Sequence, residues 1–232
     1  MNSTDRLDCV SCPVRERAAC AALNSEERAQ LARIGRRMLV SSGETIFTAG
    51  DVSDRCATLI SGALKIASYG DDGVERILSL VHPAGFVGEM FAPVIHHEVI
   101  ALTDSELCLF GRREYEAAVD RFPSHAKALL RRSAEDLFDA RSLVALQARR
   151  GSRGRIAGFL LAMARAASHS SCSPAERFDL TLTRGEIAGL LGITIETVSR
   201  QLTVLEKEGI IRRRGLRGID LLNLSRLEDQ AA

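Results

Sequence analysis

The chain has 232 residues, 46% hydrophobic and 26% charged, with 31 Lys and Arg against 30 Asp and Glu. These proportions are those of an ordinary globular protein, and they exclude disordered, collagen-like or polybasic readings of the whole chain. No apolar run reaches the ~18 residues of a membrane-spanning helix. The polar stretch after Met1 lacks the apolar centre of a signal peptide, so a cytoplasmic protein with no membrane partner is expected.

The near-zero sum hides an asymmetry. Residues 1–144 carry 17 basic and 21 acidic groups, a balance of −4, whereas residues 145–232 carry 14 and 9, a balance of +5. An acidic front and a basic back imply two parts with different partners, the basic one suited to a polyanion such as DNA.

The first 22 residues hold three of the six cysteines, as Cys9-Val-Ser-Cys12 and then Cys20. In a reducing compartment such residues are ligands, redox centres or core residues rather than disulfides. The segment is polar and has no evident core to fill. Its thiols suit zinc or an iron–sulfur cluster, and a lone C-x-x-C does not choose between them. A fourth ligand has to come from elsewhere, with Cys108 one candidate and His96 or His97 another.

Asn24-Ser25-Glu26-Glu27 reads as a capped helix start, and Leu31, Ile34 and Met38 continue a helical stripe. From Leu39 to Phe110 the pattern changes to short apolar runs between glycine turns. Thr45–Phe47, Ala57–Ile60, Ala63–Ile66, Ile77–Leu80 and Glu106–Phe110 read as strands of a small β-sandwich or β-roll. Arg113 to Asp120 is a helix closed by Phe122-Pro123, and a long helix follows from about Ser124 to Arg149. Within it Ala126, Leu130, Ser133, Leu137, Ala140, Val144 and Gln147 recur in steps of four and three, a heptad seam through which a second copy would pair. Gly151 to Gly154 reads as a hinge, Arg155 to Ala167 as a helix, and Ser168 to Pro174 as a polar loop containing Cys172.

The most informative stretch is Thr181 to Ile211. Thr183 and Glu186 have capping-box spacing and open a short helix. Gly192 permits a tight turn, and Thr194 caps a second helix that ends at Gly209. Two short helices across such a turn form a helix-turn-helix, the second helix lying in the major groove. Val198, Leu202 and Leu205 form its apolar stripe, leaving Glu196, Thr197, Ser199 and Arg200 off that stripe. Arg pairs with guanine and Glu accepts from cytosine, although Glu196 and Arg200 also have the spacing of a surface ion pair. Ile210 to Leu222 reads as a β-hairpin wing. Its Arg212, Arg213, Arg214 and Arg217 are phosphate candidates, as are Thr183, Thr194 and Thr197 at the helix starts. No catalytic motif accompanies these features; the histidines lack H-E-x-x-H spacing and no phosphate-binding glycine loop is present.

These residues resemble the CRP/FNR family of bacterial transcription regulators over nearly the whole chain. Phe178 to Ile187 and Ile195 to Arg200 look like the FNR-branch helix-turn-helix, with Glu196, Ser199 and Arg200 matching its Glu-x-x-Ser-Arg. The resemblance implies an α+β fold: an N-terminal jelly-roll (cyclic-nucleotide-binding-like) sensor domain, a long dimerisation helix and a C-terminal winged helix-turn-helix. The corresponding parts are an arm at 1–22, a roll at 23–122, the helix at 123–150 and the DNA-binding domain at 151–232. It further implies an oxygen-responsive regulator holding a [4Fe–4S] cluster on Cys9, Cys12, Cys20 and Cys108, with Cys56 and Cys172 outside the ligand set. A homodimer bound to a palindrome near TTGAT-N4-ATCAA is implied, with RNA polymerase as a further partner. Gly70 to Gly73 is a candidate for the polymerase contact. Gly88-Glu89-Met90 resembles the start of a cyclic-nucleotide phosphate cassette, but Val94 to Val99 stands where its Arg-Ser pair belongs, so no cyclic phosphate is expected.

Overall fold

A computed structural model describes residues 3–149, 151–168 and 173–231. The chain divides into two compact units, Met1–Asp139 and Ala140–Ala232.

The first unit is a two-sheet roll. In chain order it has β1 (Ser3–Arg6), a 3-10 turn (Ala19–Ala22), α1 (Ser25–Ile34), β2 (Gly35–Val40), β3 (Thr45–Phe47), β4 (Arg55–Ser61), β5 (Leu64–Tyr69), β6 (Glu75–Val81), β7 (Phe86–Val87), β8 (Glu98–Ala101), β9 (Ser105–Gly111), α2 (Arg112–Arg121) and the start of α3 (Pro123–Gln147). One sheet has the order β1-β2-β9-β4-β7 and the other β3-β8-β5-β6, with antiparallel neighbours throughout. Side chains alternate across a strand, so Met38, Val40, Ala57, Leu59, Leu64, Val99 and Leu107 fill the space between the sheets. A second cluster, on the outside of the larger sheet, joins Leu23, Leu31, Phe110, Tyr115, Phe122 and Leu129 and seats α1, α2 and the first turns of α3.

All five expected strands are present, and Asn24 does cap α1: Asn24 Oδ1 accepts from the Glu27 amide and Glu27 returns a bond to the Asn24 amide, both at 2.9 Å. Two local expectations need correction. The helical stripe ends at Ile34, and Met38 lies in β2 facing the sandwich core. Gly35 makes the switch possible, because a Cβ there would stand 2.3 Å from Leu7 Cδ1 and 2.6 Å from Phe110 Cε1. The cysteine arm also has a core of its own. Val14 and Ala18 are 1% and 3% exposed against Ile60 and Ala84, and β1 pairs with β2.

The second unit begins with the last turns of α3 and continues through α4 (Ser152–Ala166), β10 (Arg177–Asp179), α5 (Arg184–Leu191), α6 (Ile195–Lys207), β11 (Ile211–Arg214), β12 (Gly218–Leu221) and α7 (Leu224–Ala231). Its sheet runs β10-β12-β11. Ser152, Arg153 and Gly154, read from sequence as a hinge, form the first turn of α4. Residues 169–172 of the expected polar loop, Cys172 among them, lie outside the described residues.

Candidate cysteine site and nucleic-acid interface

On β9, Leu107 points into the sandwich and Cys108 therefore points outward, on the face shared with Glu106 and Phe110. The N-terminal arm folds over that face. Its 3-10 turn carries Cys20, and the loop before it carries Cys9 and Cys12. The four thiols line one cavity of about 440 Å³, walled also by Thr58 and Ile60 of β4 and by Tyr115 of α2. Tyr115 is held against Phe86 and Phe110 at ring-centroid distances of 5.4 and 4.8 Å, and its hydroxyl bonds His125 Nε2 of α3 at 3.0 Å.

The electrostatics follow from burial. Cys108 is raised well above the ordinary thiol range, first by burial and then by Cys9, Cys20 and Cys12. Cys20 is pushed up to about 11 by burial, then by Cys12 and Cys9. Cys9 is raised by burial and by Cys12, against which the Arg28 and Arg15 charges work. Thiols raised in this way keep their protons until a metal cation takes the sulfur and the proton leaves to solvent. The carboxylates on the wall are otherwise engaged. Asp8 accepts from the Ser11 hydroxyl at 2.6 Å and the Val10 amide at 2.9 Å, while Glu106 is bound through both oxygens by Arg37 at 2.6 and 2.9 Å. The donor set left is four soft sulfurs around a roomy space, which fits an iron–sulfur cluster. Among the described residues, no three His, Cys, Asp or Glu side chains stand close enough together to hold a single metal ion, so the four sulfurs line the cavity without meeting at one point. Cys56 does not line this cavity; it is fully buried on the same face of the sheet, in the cluster of Leu31, Phe110 and Tyr115, and burial, then Glu116, push its thiol up to about 12. His96 lies apart from the thiols, paired with Glu89 beside His97 in a second cavity.

In the second unit, the Glu186 amide donates to Thr183 Oγ1 at 3.2 Å and Glu186 Oε2 accepts from the Thr183 amide at 2.8 Å, closing the capping box of α5. Gly192 takes φ +61° and turns the chain. Thr194 Oγ1 accepts from the Thr197 amide at 3.2 Å to start α6, and Gly209, at φ +66°, follows its end. Val198, Leu202 and Leu205 are buried, while Glu196 and Arg200 are exposed and Ser199 half-buried on the other face. The Glu196 carboxyl is held below its ordinary value by its own amide and the Thr194 hydroxyl, with no contribution from Arg200. The two side chains are therefore available to a ligand rather than consumed by one another.

The wing arginines divide into two kinds. Arg213 grips Glu206 of α6, with its Nε 2.7 Å from Oε2, and Arg214 Nε reaches Asp220 of β12 at 2.5 Å. Both brace the hairpin against its own domain, while Arg212 and Arg217 are exposed. Of the threonines, Thr183 and Thr194 serve as caps, and the Thr194 and Thr197 hydroxyls are 3.1 Å apart.

On α3, Leu129 is buried on the roll while Leu130, Leu137 and Val144 stand 71%, 50% and 65% exposed, and Phe138 joins them at 68%. Ala126 and Ala140 are half-buried and Ser133 exposed. Sequence reasoning missed Phe138, because it lies off the heptad count, and missed Arg15, Arg28 and Tyr115 at the cysteine cavity, because no motif marks them.

This arrangement defines a sensor roll joined to a winged helix-turn-helix. The profile of the cyclic nucleotide-binding domain matches residues 37–122, and that of the Crp-like helix-turn-helix domain matches residues 154–230. The chain is similar to the transcriptional activator protein FnrL of Cereibacter sphaeroides, 34% identical over 96% of this chain and 91% of the relative. It is also similar to the fumarate and nitrate reduction regulatory protein of Escherichia coli, 27% identical over 90% and 84%. Among solved structures, FixK2 of Bradyrhizobium japonicum superposes with a TM-score of 0.76 at 27% identity, covering 86% of this chain and 98% of that one. The chain belongs to the CRP/FNR family of transcription regulators. It is a DNA-binding transcription regulator of that type.

Proposed function

We propose that this regulator is oxygen-responsive and that Cys9, Cys12, Cys20 and Cys108 hold a [4Fe–4S] cluster. The observation that carries the reading is that four thiols, from two segments distant in sequence, line one cavity whose carboxylates are already committed. When bound, such a cluster supplies reactivity toward oxygen and holds the arm's cysteines and Cys108 to a common centre. The chain's own residues do the rest. The arm seats on Ile60 of β4 and on Ala84 through Val14 and Ala18, and the exposed Leu130, Leu137 and Val144 of α3 are covered by a second copy. The paired recognition helices then lie about 34–36 Å apart, one turn of DNA. Arg200 reads guanine, Glu196 the cytosine paired with it and Ser199 a neighbouring thymine, in a palindrome close to TTGAT-N4-ATCAA. Arg212 and Arg217 meet phosphates. RNA polymerase is met by loops of the roll, with the exposed Gly70–Gly73 turn as the contact, in the cytoplasm and without a membrane.

Iron and acid-labile sulfide are measured on protein purified under nitrogen, with its visible spectrum taken before and after air. Stoichiometric iron and sulfide with an air-bleached absorption support the reading. Iron-free, colourless protein that still selects its operator overturns it and favours a second reading, a small effector in the roll. That reading draws on the cavity of about 300 Å³ bordered by Phe47, Ile66, Phe86, His96 and His97.

A further inference from the structure

Arg28 lies in the second turn of α1, eight residues after Cys20. A helical side chain leans toward the helix N-terminus, and here that direction leads back to the turn bearing Cys20. Arg28 Nε donates to the Cys20 carbonyl at 3.3 Å, and Nη2 donates to the carbonyls of Leu23 at 2.9 Å and Ala21 at 3.4 Å. The Cys20 carbonyl also accepts from the Leu23 amide at 3.2 Å, which closes the turn, whereas the Ala21 and Leu23 carbonyls lie at its end, where partners within the turn run out. A planar guanidinium carries enough donors in a fixed fork to serve all three, whereas an ammonium is a single point of charge.

The same side chain borders the cysteine cavity, as does Arg15. Four thiols that lose their protons to a metal, together with inorganic sulfide, give an anionic site. A half-buried guanidinium beside it offsets that charge where water is scarce.

We propose that Arg28 is a positioning residue of the cysteine site: it fixes the Cys20 turn through three carbonyls and sets a positive charge against the anionic iron–sulfur group that the site holds. The charge role rests on the cluster reading above, while the fixing of the turn can be read on the iron-free chain.

The first measurement is amide hydrogen exchange over residues 20–23 in the full-length, reduced, iron-free protein. Arg28→Gln and Arg28→Lys are both expected to exchange about five-fold faster there than wild type, with unchanged exchange in β4 and β9 as the control for folding. The second is the midpoint potential of the iron-loaded protein. Arg28→Gln should move it to a more negative value, because the reduced, more anionic form loses its counter-charge, and Arg28→Lys should restore most of the shift. A lysine that restores the potential but not the slow exchange separates the charge from the fork. Wild-type exchange in Arg28→Gln overturns the fixing of the turn. A potential unmoved by Arg28→Gln, or a wild-type protein that takes up no iron, overturns the charge role, and in the latter case the exchange result still decides the first.

Discussion

The side-chain amide of Gln147, the last residue of α3, donates a 2.8 Å hydrogen bond to the carbonyl of Leu190 near the end of α5. The last carbonyls of a helix lack partners within it. Leu190 is served by Gln147, and Leu191 and Gly192 by Arg155 at 3.0 and 3.2 Å. The amide that closes the heptad count is thus committed within its own chain, and the apolar seam ends at Val144. Gln147→Ala is expected to destabilise the second unit by about 1 kcal/mol, read by urea unfolding, with little change in dimer affinity. Val144→Glu or Leu137→Glu is expected to shift the protein toward monomer in sedimentation, because a charge would be buried at the pairing face. A dimer weakened equally by Gln147→Ala and Val144→Glu would return the amide to the seam.

Arg200 and the wing arginines are expected to fail differently. Arg200→Ala should cost ~1–3 kcal/mol on the operator and relax preference at a single base pair. Arg217→Ala should weaken all duplexes alike and lower the salt slope by about one. Arg213→Ala should act through folding, since its partner is Glu206. Titrations of operator and scrambled duplex at several salt concentrations separate the three. A uniform loss from Arg200→Ala would remove it from base reading.

What was legible in the sequence was local. Thr183 with Glu186, Gly192 and Thr194 specify helix ends by short-range bonds that the structure contains, and the Glu106–Phe110 run put Cys108 on a strand, which it is. What was not legible depends on distant partners. Met38 fits a helical stripe by spacing but is drawn into β2 by its pairing with Leu107 of β9. Val14 and Ala18 look like isolated apolar residues until Ile60 and Ala84 cover them. Arg213 and Arg214 look like free cations until Glu206 and Asp220 face them. Arg28 has no motif at all, because its role is set by the path of the preceding turn.

Acid should destabilise the first unit through His82. Burial, then the Arg132 guanidinium of α3, push its imidazole down to about 4, against ~6.5 in an unfolded chain. Between those values the unfolded chain binds more protons, so stability rises with pH across that window; it is fully present above ~6.5 and lost on acidification toward 4. Buried His125, lowered by burial as well, adds in the same direction. Thermal unfolding at pH 7 and pH 4.5 should show a fall of several degrees in wild type and a smaller fall in His82→Asn. An equal fall in both would assign the acid sensitivity to other groups.

Cys56 and Cys108 test whether burial or position makes a cysteine a ligand. Both are on the larger sheet, two strand positions apart across the β4–β9 ladder, where Cys56 pairs with Phe110 and Thr58 with Cys108. Cys56 packs among Leu31, Phe110 and Tyr115, and Cys108 opens onto the thiol-lined cavity. Cys56→Ser puts a hydroxyl into an apolar cluster and is expected to cost ~1–3 kcal/mol in unfolding free energy while retaining the full iron content. Cys108→Ser is expected to leave unfolding within about 1 kcal/mol of wild type, since its environment is partly open, and to lose the iron. The pair is read by urea unfolding of the iron-free proteins and by iron analysis after anaerobic reconstitution. Iron lost from Cys56→Ser and kept by Cys108→Ser would reverse the assignment of the fourth sulfur, because Cys56 could then be reached only if Leu31, Phe110 and Tyr115, which separate it from the cavity, gave way.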